Sequence, residues 1–243
     1  MDEKSIDLGG ITMKIIKLSV SLLVFIMLFS VTGPIVGNNV SAQELEEISS
    51  TYASTVDTNE KPLEGVTILL DPGHGGWDAG AVGPTGLTEK EVALDVSLLT
   101  EDKLESLGAD VHLTRYSDVD VSLYRRAAMA NEVGADLFIS VHANGAINTA
   151  AQGTETYYSS FRNPNDYYLA ESLQEGMVNN MGRPDRGVLN QDFLVLRASN
   201  VPSAVVELAF LSNYEEEQLL RDDDFKDKAA QGITEGILNY LGE

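Results

Sequence analysis

The sequence predicts an α/β fold: a mixed, mostly parallel β-sheet flanked by helices on both faces, in a single catalytic domain. Three observations predict it. Apolar runs of strand length alternate with helical periods from Val66 to Leu241. The first run opens into the glycine-rich turn Asp71-Pro-Gly-His-Gly-Gly76, the kind of strand end at which α/β sheets bind ligands. A hydrophobic content of 43 % and a charged content of 22 % are ordinary for a globular chain.

The elements follow in order. Val66-Thr-Ile-Leu-Leu-Asp71 is a continuous apolar run, as expected of a buried strand. Thr88-Glu-Lys-Glu91 is a capping box, with Glu three residues after a Thr N-cap. It opens a helix that puts Val92, Val96 and Leu99 on one face and stops at Gly108. A strand from Asp110 to Thr114, a helix from Ser122 to Val133 and a strand from Asp136 to His142 come next. Gly153 to Tyr158 reads as a strand, Asp166 to Met181 as a helix and Ser203 to Leu208 as a short central strand. Two acidic helices, near Tyr214 to Arg221 and Phe225 to Leu241, close the chain.

Ahead of this domain, residues 1–42 read as a signal peptide and residues 43–63 as a flexible polar linker, leaving the catalytic domain at 64–243. Lys14 and Lys17 precede an apolar run from Leu18 to Val31, Gly33-Pro34 breaks it, and Val40-Ser-Ala42 has the small-x-small pattern of a cleavage site. The run is short of the ~20 apolar residues that span a bilayer, so export is expected, with an uncleaved anchor as the alternative. The acidic stretch before Met13 fits a leader poorly, and Met13 is an alternative start. The remainder, roughly 200 residues, fits one domain with one core.

Acids outnumber bases 38 to 16, for a formal charge of −22. Such a surface repels nucleic acid and anionic lipid, so neither is expected as a partner. The chain has no cysteine, which excludes thiolate metal sites and cysteine nucleophiles and leaves His, Asp and Glu as metal donors.

Of three histidines, His74 and His142 fall at equivalent places, after the ends of strands and so at the carboxyl edge of the sheet. Each alone is as well explained as a hydrogen-bonded structural imidazole; two at one edge suggest a metal site. His112 lies between Val111 and Leu113 within a strand and reads as structural. A catalytic zinc takes three protein donors and keeps one open position, so an acid is wanted. Glu89, in the first turn after Thr88, is a candidate, but on spacing alone a helix-dipole acid is the better reading, because Glu91 competes for either role. Glu207 stands in the apolar stretch Ser-Ala-Val-Val-Glu-Leu-Ala-Phe-Leu211, where a carboxylate is costly unless paired or near a metal.

Four segments, Leu-Asp-Pro-Gly-His-Gly-Gly (70–76), Gly-Leu-Thr-Glu-Lys (86–90), Leu-Phe-Ile-Ser-Val-His-Ala-Asn (137–144) and Val-Glu-Leu-Ala-Phe-Leu-Ser-Asn (206–213), resemble in order the motifs of the zinc-dependent N-acetylmuramoyl-L-alanine amidases of the type 3 class. The resemblance runs from about Val66 to Leu241. It implies one zinc per chain held by His74, Glu89 and His142, with Glu207 as the catalytic glutamate, and so selects Glu89 over Glu91. It implies peptidoglycan as substrate, a secreted or cell-wall location, and hydrolysis of the amide between N-acetylmuramic acid and L-alanine. One departure is Ala209, where the family usually has glycine; its methyl is expected close to Glu207. No wall-binding module or autoinhibitory insert is visible, and a monomer is expected. The competing readings are a zinc peptidase acting on the stem peptide, although His-Glu-x-x-His is missing, and a wall-binding protein without catalysis.

Overall fold

A computed structural model of the chain describes residues 61–161 and 163–243, together with the backbone of residues 5–8 and 11–14. The latter form two strands, β1 (Ser5–Leu8) and β2 (Ile11–Lys14), paired antiparallel. The apolar run, the cleavage site and most of the linker inferred for the leader lie outside the described residues. Among the described residues no helix is long and apolar enough to cross a membrane.

The compact unit from Asn59 to Glu243 is built on a six-stranded sheet. Its strands are β3 (Thr67–Pro72), β4 (Asp110–Leu113), β5 (Leu137–Asn144), β6 (Thr154–Tyr158), β7 (Asp185–Asn190) and β8 (Ser203–Phe210), in the order β4-β3-β5-β8-β6-β7. The first four in that order run parallel. β6 pairs antiparallel with β8 and parallel with β7, so the last two strands run against the rest.

Strand alternation sorts the core to the two faces. Ile68, Leu70, Leu137, Ile139 and Val141 join the larger cluster, with residues of helices α1 (Glu89–Ser106), α3 (Asn165–Met181) and α6 (Asp223–Leu241). Leu69, Phe138 and Val205 join the smaller one, with residues of α2 (Leu123–Val133) and α4 (Leu194–Ala198). Helix α5 (Tyr214–Arg221) follows β8 and carries two fully buried glutamates. Glu216 accepts from Gly153 N (2.9 Å) and Phe210 N (2.6 Å), and Glu217 accepts from Thr85 and Leu87. These carboxylates fasten the loops at the carboxyl end of the sheet.

The helices and strands expected from the sequence are present, within two residues at most ends. Beyond β1 and β2, which the sequence reading did not expect, two elements of the compact unit were not anticipated. Strand β7, Asp-Arg-Gly-Val-Leu-Asn, is a largely exposed edge strand with no apolar run and with a left-handed glycine at Gly187 (φ +82°). Helix α4 spans only five residues, too few for a period to show. Leu63, read as the last residue of the linker, is fully buried in the larger cluster, and its N–H donates to Leu107 O (3.0 Å).

Candidate active site

Four polar side chains converge at the carboxyl ends of β3, β5 and β8. Strand β3 runs into the turn that carries His74, which has a left-handed backbone (φ +58°), uncommon for a residue with a Cβ. α1 begins at Glu89. Here the two neighbouring acids divide their tasks. Glu91 completes the capping box, its carboxylate accepting from Thr88 N (3.1 Å) and Thr88 Oγ1 (2.6 Å) at the surface. Glu89 is buried, 5 % exposed, and turns inward.

Glu89 Oε1 lies 3.0 Å from His74 Nε2 and 2.7 Å from His142 Nδ1, and it accepts from Ala143 N at 3.2 Å. Its Oε2 accepts from Ala81 N at 2.7 Å. The two imidazoles meet edge to face, 4.9 Å between centroids. One ligand atom from each of His74, Glu89 and His142 lies within 4.8 Å of the others, a group that could hold a metal ion. Burial works against ionised Glu89, yet hydrogen bonds and charge from His142 and His74 hold its carboxyl far below the usual carboxylate range. Burial likewise opposes a charged His74, but Glu89 and Asp78 outweigh it and raise its pKa.

Two glycines make this convergence sterically feasible. A Cβ at Gly73 would fall 2.4 Å from the His142 ring. One at Gly80, where φ is +66°, would fall 2.5 Å from Glu89 Oε2. Asp78, which the sequence reading passed over, accepts from or shares a proton with His74 Nδ1 at 2.8 Å and accepts from Gly80 N at 3.0 Å. Its position four residues beyond His74 in a tight turn was the available signal. A carboxylate on the far nitrogen of an imidazole fixes the ring and is the usual outer partner of a ligating histidine.

Glu207 is the register partner of His142 on one side and of Glu155 on the other. The residue is partly accessible, but its Oε2 is buried with no hydrogen-bond partner. Burial, then the charges of Glu89 and Glu155, push its carboxyl well above the usual range. Glu155 is instead fully engaged, accepting from Asn144 Nδ2, Tyr157 Oη (2.6 Å) and Arg186 Nε (2.6 Å). Ala209 is buried in the core and is not among the residues that line the cleft. His112 is remote from the cluster in sequence and strand, half-exposed on β4 and 3.5 Å from Asp110.

The four side chains open onto a cleft of about 620 Å³ whose lining also includes the apolar residues Trp77, Val121, Leu123, Phe193, Leu194 and Val205. Trp77 and Leu123 are exposed. No period marks such loop residues in the sequence, although Trp77 is the chain's one tryptophan and stands three residues beyond His74.

A mostly parallel sheet whose strand ends, with the start of α1, bring two imidazoles and a carboxylate to one point that could hold a metal ion, beside a carboxyl with one buried unpartnered oxygen and an open cleft, is the architecture of an α/β hydrolase. The family profile described as N-acetylmuramoyl-L-alanine amidase matches residues 68–239, and the chain belongs to that family. The chain is 42 % identical over 182 residues to N-acetylmuramoyl-L-alanine amidase LytC of Bacillus subtilis, a match covering 74 % of this chain and 36 % of LytC. It is 40 % identical over 184 residues to protein YqiI of the same organism, covering 75 % of this chain and 88 % of YqiI. The crystal structure of an N-acetylmuramoyl-L-alanine amidase from Clostridium difficile 630 superposes with a TM-score of 0.71 at 35 % identity, over 73 % of this chain and 97 % of that one. The chain thus spans about a third of one curated relative and most of another.

Proposed function

We propose that the cleft hydrolyses the amide between N-acetylmuramic acid and L-alanine in peptidoglycan, with a zinc ion held by His74, Glu89 and His142 and with Glu207 as the proton carrier. The observation that carries this reading is the crowding of three donors on one point, Glu89 Oε1 within 3.0 Å of both histidines, beside the unpartnered Oε2 of Glu207. Two imidazoles and one carboxylate, without thiolate, suit a catalytic zinc with an open position. When bound, zinc supplies Lewis-acid polarisation of the scissile carbonyl and acidifies water.

The remaining work falls to the chain's own residues. Glu207 takes the proton of the attacking water and returns it to the departing alanine nitrogen, as general base and then general acid. Its buried Oε2 makes it a poor resting anion and hence a ready proton acceptor. Asp78 holds the His74 ring in one orientation through Nδ1. The apolar lining residues Trp77, Leu123 and Phe193 offer contact for the methyl groups of the lactyl-alanine segment.

Export to the cell wall and action as a monomer complete the proposal. The test is digestion of purified peptidoglycan by the full-length mature chain, with and without chelator and with zinc restored. New lactyl and L-alanine ends, lost with chelator and regained with zinc, are expected. New ends inside the stem peptide would make the protein a peptidase, and no cleavage would make it a binder.

A further inference from the structure

The turn bearing His74 is gripped by two buried guanidinium groups. Arg115 donates from Nε to Pro72 O (3.0 Å) and from Nη2 to Gly73 O (2.8 Å). Arg126 donates from Nη1 to Pro72 O (2.6 Å) and from Nη2 to His74 O (2.6 Å). Three successive carbonyls, 72 to 74, are therefore held by side chains and not by a strand or helix ladder. Each arginine is only 3 % exposed.

Each arginine also reaches beyond the turn. Arg115 Nη2 donates to Lys90 O at 2.8 Å, in the first turn of α1 and adjacent to Glu89. One guanidinium thus ties the His74 turn to the helix start that presents Glu89. Arg126 bonds Asp71 Oδ1 at 2.7 Å and, from its own neighbourhood at the start of α2, Val121 O at 2.8 Å. Asp71 is itself fixed by Thr114 Oγ1 (2.6 Å) and Ser140 Oγ (2.7 Å).

Burying two cations beside one another with a single carboxylate in contact is an expensive way to close a turn. A planar fork with fixed donor directions can, however, hold several acceptors at set distances, which a flexible ammonium cannot. The conformation being held is a left-handed histidine (φ +58°), a backbone state that persists only where its surroundings over-determine it.

We propose that Arg115 and Arg126 are positioning residues that set His74 and Glu89 at ligand spacing before a metal ion arrives. The inference rests on the metal reading of the site but is separable from it. Neither arginine is among the three donors; they act through the backbone of one ligand and the helix start of another.

The test uses the mature chain with Arg115→Lys, Arg126→Lys and, as control, Asp71→Asn. Lysine keeps the charge, and at position 126 it can still pair with Asp71, but at neither position can it span the carbonyls. Three quantities are measured: thermal stability of the metal-free protein, zinc affinity by competition with a chromophoric chelator, and the visible spectrum of the cobalt-loaded form. The Lys variants should bind zinc about 10–100-fold more weakly, the range for lost outer-shell support, with an altered cobalt spectrum. Asp71→Asn should lose stability yet keep zinc affinity within about threefold, since both guanidinium groups still hold the carbonyls; we set this bound well below the outer-shell range. Unchanged zinc affinity in the Lys variants, or an equal loss in Asp71→Asn, would overturn the inference. Should a Lys variant fail to fold, crystal structures of the unsubstituted protein with and without zinc decide. Residues 72–74 and the start of α1 should superpose, and a turn that rearranges on loading contradicts preorganisation. An unsubstituted protein that binds no zinc would instead remove the metal reading itself.

Discussion

His142 and Glu207 are partners in register on the neighbouring parallel strands β5 and β8, so one face of the sheet presents an imidazole and a carboxyl side by side. The first belongs to the three-donor cluster, while the second keeps an unpartnered oxygen. In the proposed function this pairing would set the proton carrier next to the metal without making it a ligand.

The donor cluster makes a direct prediction for metal content. The purified protein should carry about one zinc per chain, measured by elemental analysis. His74→Ala and His142→Ala should each lose metal and activity together. His112→Ala, on the exposed edge strand β4, should keep both. Full zinc in either of the first two variants contradicts the ligand assignment.

The burial of Leu63 extends the folded unit into the segment read as linker. Leu63→Ala should lower the unfolding free energy by about 2–5 kcal/mol, the cost of a buried Leu truncation, as read from urea denaturation. A chain starting after residue 63 should be destabilised at least as much. A truncated protein as stable as the mature one would show that this contact contributes nothing.

Export predicts a mature N-terminus at or near Gln43, read by N-terminal sequencing of protein from the wall or culture fraction. An intact leader on membrane-bound material would favour the anchored alternative.

The raised Glu207 carboxyl predicts a pH dependence in the metal-free protein, chosen because a nearby dication would alter the carboxyl's behaviour. Burial, with the charges of Glu89 and Glu155, keeps the folded carboxyl protonated above its ordinary value of 4.5. Between those values the folded state binds more protons than the unfolded chain. The associated stability is therefore present below about 4.5 and lost as pH rises through the folded value. Glu207→Gln removes this loss. Its stability relative to the unsubstituted protein, measured by urea denaturation, should improve from about pH 4 to about pH 8. A relative stability that falls over the same range contradicts the assignment.

Much of this architecture was legible because period and punctuation agreed. The capping box at Thr88 and the apolar run into Asp71 survive into the structure as the helix start and strand expected, and Glu207 keeps its apolar setting in β8. What escaped the sequence reading depends on contacts between distant positions. Asp78 gains meaning only when His74 adopts a left-handed backbone, and Arg115 and Arg126 look like ordinary surface cations until burial turns them onto carbonyls of another strand's loop. Glu89 and Glu91 show the same limit. Residue type and spacing left both open, and only the resemblance chose between them; the fold then turned one inward and left the other capping the helix.

The division of labour between Glu89 and Glu207 is the centre of the account, and zinc content with kcat for Glu207→Gln and Glu89→Gln tests it most directly. The amide is nearly isosteric with the carboxylate. Glu207→Gln should keep its zinc while kcat falls ~10²–10⁴-fold, the range for loss of general acid–base catalysis, with KM little changed. Glu89→Gln should lose zinc affinity first and activity in consequence. If Glu207→Gln loses its zinc while Glu89→Gln keeps zinc and fails only in turnover, the two roles are exchanged and the account is wrong.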